Sequence, residues 1–280
     1  MKVCILAFDG LDYYRVHQGD YPNLKQKEYG IVDISGLTLK TPVLWGSFIT
    51  GLEQTQHKVR FSWKFLPQKI YDPVIIALER MADKISLLNT ASFFKLVKLV
   101  GLWHTKDDYA RKGVKTIFDY ARKPVAISVP SYNQPVEDLW LMVKSDLVKS
   151  ADEKKLIARY VWRIHYRRKK QLFEELTGDW DLLMVWFPLA DALGHLFWFD
   201  EKLMKKIYNE LEGIAGAVRA KLDDALILIN SDHGMKEGQH TRYAFYSSNV
   251  KLGLTRPRIT SFFQIIVSAV CGELGEGGAK

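Results

Sequence analysis

Three aspartates and three histidines occupy positions that are suited to binding divalent metal ions. Each lies shortly after an apolar run that predicts a β-strand. Because ligands of open α/β sheets bind at the carboxyl ends of the strands, we expect these side chains to meet there. Mixed carboxylate and imidazole ligation suits Zn²⁺ and, less well, Mn²⁺. The residues are Asp9, Asp191, His195, Asp232, His233 and His240.

The size of this set indicates two metal ions rather than one. A tetrahedral site takes about four ligands, fewer than the sequence offers. Two divalent ions about 4 Å apart stabilise both the attacking and the leaving oxygens of a displacement at phosphorus. The residue types therefore predict chemistry on a phosphate ester.

Each of these residues taken alone also has a structural interpretation. Asp9 at a strand end is typical of a turn or helix cap. Asp191 and His195 have the spacing of an ion pair on one helix face. Gly234 after His233 permits a tight turn. The functional interpretation depends on their joint occurrence, in this order, at the ends of separate strands.

A threonine precedes a proline at the predicted start of a helix. The pair Thr41-Pro42 predicts Thr41 as the N-cap and Pro42 as the first helical residue. The positive end of that helix would hold an anion, with the amide groups of Val43 and Leu44 as donors.

Taken as an ordered set, these motifs resemble those of the alkaline phosphatase superfamily, and most closely the type I phosphodiesterase/nucleotide pyrophosphatase family. The similarity is dispersed over residues 1–64 and 180–249. The motifs are Phe8-Asp9-Gly10, Lys40-Thr41-Pro42 with Ser47 through Gly51, Asp191-x-x-Gly194-His195, Ser231-Asp232-His233-Gly234 and His240.

The resemblance implies a role for each residue. Thr41 matches the family nucleophile, which would attack phosphorus and form a phospho-threonine intermediate that water then hydrolyses. His57 matches a further family histidine, although Gln54 and Lys58 replace its usual neighbours. One metal ion would be held by Asp9, Thr41, Asp232 and His233, and the other by Asp191, His195 and His240.

The segment after His57 departs from the nucleotide pyrophosphatase pattern. Ser62 stands where that family has an asparagine that contacts the phosphoryl oxygen, and Arg60 or Lys64 would supply charge to an anionic substrate. Phe61 and Trp63 either stack a nucleobase or pack one face of a strand. The resemblance implies a phosphodiesterase of nucleotide-like diesters. The alternatives are a phosphomonoesterase of the same superfamily and a non-catalytic metal- or nucleic-acid-binding protein.

Short apolar runs alternate with longer helical patterns, and this order predicts an α/β fold with a mostly parallel central sheet flanked by helices on both faces. The superfamily resemblance implies the same fold. An additional strand, Ala244–Ser247, is expected at the sheet edge. The other predicted strands are Lys2–Phe8, Gly30–Ser35, Val125–Val129, Asp181–Phe187 and Ala225–Asn230.

Helical periodicity is clear from Leu203 to Leu222, and it also predicts helices over 110–121 and 154–176. We expect a single domain over 1–280, with helical insertions at about 58–105 and 131–178 that form a cap over the sheet. The second insertion carries a basic stripe, which either binds nucleic acid or anionic lipid or is a solvated helix face. The stripe consists of Lys155, Arg159, Arg163, Arg167 and Lys170.

Composition excludes several classes of protein. With 280 residues, of which 48% are hydrophobic and 26% charged, the chain is neither disordered nor built on disulfides. The net charge of +8 favours an anionic partner. Cys4 and Cys271 make no disulfide framework, and no apolar run approaches the roughly 20 residues of a membrane span. We therefore expect a cytoplasmic protein.

Overall fold

The structure is a computed structural model that describes residues 1–59, 104–135, 138 and 150–273. Arg60, Phe61, Ser62, Trp63 and Lys64, for which we predict contacts with substrate, lie outside the described residues. Most of the predicted insertion at 58–105 also lies outside them, as does part of the insertion at 131–178. The cap that these insertions would form therefore stays a prediction.

A six-stranded sheet forms the centre of the fold. Its strands are β1 (Lys2–Phe8), β2 (Glu28–Val32), β3 (Pro124–Ile127), β4 (Leu182–Phe187), β5 (Ala225–Asn230) and β8 (Ala244–Ser248). Their order across the sheet is β2-β8-β5-β1-β4-β3. Strand β1 pairs in parallel with both β4 and β5, and β3 pairs in parallel with β4. A separate hairpin consists of β6 (Gly234–Lys236) and β7 (Gln239–Thr241).

The predicted α/β class and the mostly parallel sheet are confirmed, and two details of the sheet differ. Strand β8 is not at the edge, because it pairs antiparallel with both β5 and β2. Every residue of β8 is buried, as an interior position requires. The strand that we predict at 30–35 begins and ends earlier, at Glu28–Val32, because the edge position leaves β2 only partly buried and weakens its apolar signal.

Helices cover both faces of the sheet. One core contains side chains of α3 (Thr41–Thr50) and α9 (Ser261–Cys271), and the other contains side chains of α6 (Ala151–Glu175), α7 (Leu189–Phe197) and α8 (Glu201–Arg219). Shorter helices are α1 (Tyr13–Gln18), α2 (Pro22–Lys25), α4 (Gln54–His57) and α5 (Lys106–Arg111). Within the described ranges, no helix has both the length and the apolar character needed to cross a membrane.

One predicted helix is broken into two. The pattern at 110–121 predicts a continuous helix, but α5 ends at Arg111 and a 3₁₀ turn follows at Ile117–Asp119. Gly113 adopts a φ of +65°, which a helix does not accommodate. Thr116 then begins the new turn by a reciprocal capping bond with Asp119. Local capping therefore overrides the apolar spacing.

Helix α6 packs its apolar side on the sheet and turns its basic stripe outward. Its buried face contains Ile157, Val161 and Leu172, whereas Leu156 is 60% exposed. All five cations of the basic stripe are exposed. Lys155 and Lys170 pair with acidic residues of the same helix, Asp152 and Glu174.

Candidate metal centre and active site

The end of β1 is joined directly to the start of α7. The backbone N–H of Asp9 donates to the carbonyl of Phe187 at 3.0 Å, and the N–H of Asp191 donates to the carbonyl of Asp9 at 3.1 Å. Gly10 permits this approach, because it has a φ of +69° and a Cβ there would lie 2.8 Å from Asp191 Cα. The side chains of Asp9 and Asp191 thus enter one crevice.

The turn after β5 carries Asp232 and His233 into the same crevice. Ser231 fixes this turn, because its hydroxyl accepts from the N–H of Leu11 at 2.9 Å and donates to the carbonyl of His233 at 2.6 Å. The β6–β7 hairpin then returns His240, which pairs with Met235 in the hairpin register. The carboxyl ends of β1 and β5 therefore supply Asp9, Asp232 and His233, as the sequence predicts.

Helix α3 brings Thr41 to the cluster, with a cap that differs from the prediction. Lys40 is the N-cap, and Thr41 is the first helical residue. The N–H groups of Val43 and Leu44 donate to the carbonyl of Lys40 at 3.0 and 3.1 Å, so the prediction that they hold an anion is wrong. The cause is that the helix begins one residue earlier than the Thr-Pro pair suggests.

All seven residues that the resemblance implies for the metal sites converge. Thr41 Oγ1 lies 3.5 Å from both Asp9 Oδ1 and His233 Nε2. His233 Nε2 lies 3.2 Å from Asp9 Oδ1, 3.5 Å from Asp232 Oδ2 and 3.7 Å from Asp191 Oδ1. Asp191 Oδ1 lies 3.1 Å from His240 Nε2 and 3.3 Å from His195 Nε2.

These contacts form two overlapping groups with metal-ligating geometry. Asp9, Asp232 and His233 make one group, and Asp191, His233 and His240 make the other. His233 lies between them, whereas the resemblance assigns it to one ion alone. Its ring stacks on that of His240, with centroids 3.7 Å apart.

Backbone carbonyls orient two of the histidine rings. Nδ1–H of His195 donates to the carbonyl of Gly238 at 2.8 Å, and Nδ1–H of His233 donates to the carbonyl of Gly234 at 3.1 Å. A carbonyl can only accept, so each bond places a proton on Nδ1 and leaves Nε2 as the ring nitrogen that faces the carboxylates. This outer contact is the usual support of a metal-ligating histidine.

The buried carboxylates lack enough protein partners for their charge. Neither oxygen of Asp232 has a hydrogen-bond partner within the described part of the chain. Burial, together with the neighbouring charges of Asp9 and Asp191, raises the pKa of Asp232 well above its usual range. Although burial opposes it, the Asp232 carboxylate and its neighbours raise the pKa of His233 to about 10. Divalent cations would satisfy these atoms, so the donor set fits a metal centre.

His57 lies apart from this cluster. Its ring is fully buried against the opposite end of α3, where Nδ1 accepts from the N–H of Val59 at 3.0 Å and Nε2 contacts Ser47 Oγ at 2.9 Å. Both ring nitrogens are thus engaged in the protein framework.

Two tryptophans that we did not predict contact the cluster. Trp186 Nε1 donates to Asp9 Oδ2 at 2.7 Å, and Trp45 Nε1 approaches the same oxygen at 3.4 Å. Trp186 is part of the apolar run of β4 and Trp45 of the apolar side of α3, so their indole N–H groups gave no polar signal in the sequence.

The fold is similar to that of a solved alkaline phosphatase at low sequence identity. The alkaline phosphatase of the Antarctic bacterium TAB5 aligns with a TM-score of 0.52 and 11% identity over 96% of this chain and 98% of its own. Murine ectonucleotide pyrophosphatase/phosphodiesterase 5 aligns with a TM-score of 0.46 and 15% identity. The alignment covers 84% of this chain and 57% of the murine protein. The PH0037 protein of Pyrococcus horikoshii aligns with a TM-score of 0.48 and 12% identity over 99% of both chains.

A family model supplies the sequence evidence. No curated protein sequence matches the chain. The model described as type I phosphodiesterase/nucleotide pyrophosphatase matches residues 3–251, which confirms the resemblance drawn from the motifs. The chain therefore belongs to the type I phosphodiesterase/nucleotide pyrophosphatase family.

Proposed function

We propose that the chain hydrolyses nucleotide-like phosphodiesters with Thr41 as nucleophile and two divalent metal ions as cofactors. The observation that carries the proposal is the position of Thr41 Oγ1, at 3.5 Å from both Asp9 Oδ1 and His233 Nε2. A hydroxyl at that place can attack a phosphorus atom bound among the same ligands.

The metal ions would be held by two adjacent sets of side chains. Thr41, Asp9, Asp232 and His233 would hold the first ion, and Asp191, His195 and His240 the second. When bound, such ions supply Lewis acidity, which lowers the pKa of a ligated hydroxyl and neutralises charge on phosphoryl oxygens. The mixture of imidazole and carboxylate donors favours Zn²⁺, with Mn²⁺ as the alternative.

Thr41 also has electrostatic support from its helix. It is the first residue of α3, where the positive end of the helix dipole favours an anionic phosphoryl group. In the first step a bond forms between Thr41 Oγ1 and phosphorus, and one ester bond breaks to release an alcohol. In the second step water attacks phosphorus, the bond to Thr41 Oγ1 breaks, and a phosphomonoester leaves.

The substrate side of the proposal rests on the sequence. Arg60 or Lys64 would pair with an anionic substrate, Ser62 would donate to a phosphoryl oxygen, and Phe61 or Trp63 would stack a nucleobase. Replacing Trp63 by alanine should raise KM for a dinucleotide more than KM for bis-(p-nitrophenyl) phosphate.

The nucleophile is tested with Thr41→Ala against a threonine of the same helix. Thr50 is also buried, and its hydroxyl bonds to the carbonyl of Gly46, so Thr50→Ala is the matched control. We expect Thr41→Ala to lose turnover of bis-(p-nitrophenyl) phosphate and Thr50→Ala to keep it. Undiminished turnover in Thr41→Ala would reject the nucleophile.

Substrate class and intermediate are tested on the wild type. Turnover of bis-(p-nitrophenyl) phosphate should exceed that of the monoester and should fall when a chelator removes divalent ions. Acid quenching during turnover should leave a p-nitrophenyl phosphoryl group on Thr41, detectable by peptide mass spectrometry. Faster turnover of the monoester would instead support a phosphomonoesterase.

A further inference from the structure

We infer that Trp186 and Trp45 are positioning residues, which hold Asp9 so that only one carboxylate oxygen faces the metal centre. Both indole N–H groups point at Asp9 Oδ2, at 2.7 Å from Trp186 and 3.4 Å from Trp45. The other oxygen, Oδ1, faces His233 and Thr41. The inference rests on the proposed function only in taking Asp9 as a metal ligand.

The contact restricts a side-chain torsion that is otherwise soft. The last torsion of aspartate is broad and roughly two-fold, so an unrestrained carboxylate rotates readily. Asp9 is fully buried, and its Oδ2 gains charge-assisted hydrogen bonds where no water reaches it. The two indoles therefore make Asp9 a ligand through Oδ1 alone.

Indole is suited to this task because it donates without carrying charge. The Trp N–H is a donor only and does not titrate. A lysine or arginine at the same place would neutralise Asp9 and compete with a bound cation. Two neutral donors orient the carboxylate and leave its negative charge for the metal ion.

The Trp186 indole is itself held rigidly. It is 1% exposed, in β4 opposite Ala7 of β1. The guanidinium of Arg168 lies 4.8 Å from its ring centroid and donates to the carbonyl of Trp186 at 3.2 Å. Arg168 is fully buried in an ion pair with Asp138. A buried cation over the ring thus supports the residue that orients Asp9.

The first test measures metal affinity rather than catalysis. Metal-free protein is titrated with Zn²⁺ in a calorimeter, for Trp186→Phe, Trp45→Phe and Trp180→Phe. Trp180 is the matched control, because it is equally buried and its indole donates to the carbonyl of Glu175 at 2.8 Å, away from the crevice. We expect Trp186→Phe to weaken Zn²⁺ binding by about 10–100-fold, the usual cost of losing an outer contact. Trp45→Phe should cost less because its contact is longer, and Trp180→Phe should change nothing.

The second test separates this inference from the proposed function. Indole N–H signals are recorded by NMR in the metal-free protein, with and without Asp9→Ala. The Trp186 signal should shift strongly and the Trp180 signal should not. If the wild type binds no Zn²⁺, the proposed function fails while this experiment still decides the hydrogen bond. An unmoved Trp186 signal, or a folded Trp186→Phe that binds Zn²⁺ as Trp180→Phe does, overturns the inference.

Discussion

Two buried polar clusters lie at opposite ends of helix α3 and differ in how completely their atoms are paired. At the first residue of the helix, Asp9, Asp232 and His233 are fully buried, and both oxygens of Asp232 lack a hydrogen-bond partner in the described ranges. Near its last turn, His57 is equally buried, and both its ring nitrogens are paired. The two clusters are thus equally buried, but His57 has hydrogen-bond partners for its polar atoms and Asp232 has none.

The electrostatic consequences also have opposite signs. His233 has a pKa raised to about 10, because Asp232 and its neighbours outweigh burial. His57 has a pKa lowered to about 4, through burial and the nearby His104 and Lys112. The first cluster therefore has the chemistry of a cation site, whereas the polar atoms of His57 are paired within the protein.

The largest effect is expected for Asp232→Asn. Removing one buried ligand should lower turnover by roughly 10³-fold, the scale of a lost electrostatic contact to a transition state. The metal-free variant should be at least as stable as the wild type, because the amide removes an acidic group that is buried beside the like charge of Asp9. Turnover and urea unfolding of the metal-free protein measure the two outcomes.

The control for that variant is Asp181→Asn. Asp181 accepts from the backbone N–H groups of Arg122 and Lys123 before β4, at the opposite end of the strand from the crevice. The Asp181→Asn variant should keep full turnover. Full turnover in Asp232→Asn as well would remove the functional distinction between the two clusters.

His57 should affect stability rather than turnover, in a defined pH window. Because its folded pKa is about 4 against 6.5 for the free side chain, the unfolded chain binds the extra proton first as pH falls. The free energy of unfolding should therefore fall between pH 6.5 and 4, by about 3 kcal/mol from this group.

The variant that isolates this contribution is His57→Asn. Asparagine can still accept from the Val59 N–H two residues on, but it does not titrate. Urea unfolding at pH 7 and pH 4.5 should show a smaller pH dependence in the variant, with turnover at neutral pH close to wild type. An identical pH dependence would contradict the pKa assigned to His57.

The sequence predicts those features of the fold and the site that depend on residues close together in the chain. Strands β1 and β5 are predicted to the residue, because apolar runs bounded by polar turns mark fully buried strands. The convergence of Asp9, Asp232 and His233 is also predicted, since the parallel strands β1 and β5 end at one sheet edge. The place of β8 in the sheet and the indole contacts of Asp9 are not predicted, because both depend on tertiary pairing. His57 fits a motif, but only its hydrogen bonds distinguish a framework residue from a ligand.

A ligand at the rim of the centre should matter less than a buried one. His240 and His195 have side chains that are 16% and 18% exposed, against 0% for Asp232. Water can therefore partly replace His240 as a metal ligand. The His240→Ala variant should lose about 10²-fold or less in turnover. Raising the Zn²⁺ concentration should restore part of that loss, and should restore none in Asp232→Asn. Equal losses without rescue would show that rim and buried ligands are equivalent.

The smallest effect concerns stability in the presence of metal. An ion that binds only the folded chain stabilises it by RT ln(1 + [L]/Kd), about 1.4 kcal/mol at a free concentration ten times Kd. Adding Zn²⁺ to metal-free wild type should raise its unfolding free energy by about that amount for each ion bound, and Asp232→Asn should lose the contribution of the first ion. His57→Asn should show the full increase, because its cluster is complete without a cation. An increase in Asp232→Asn as large as that of the wild type would mean that Asp232 does not hold a Zn²⁺ ion.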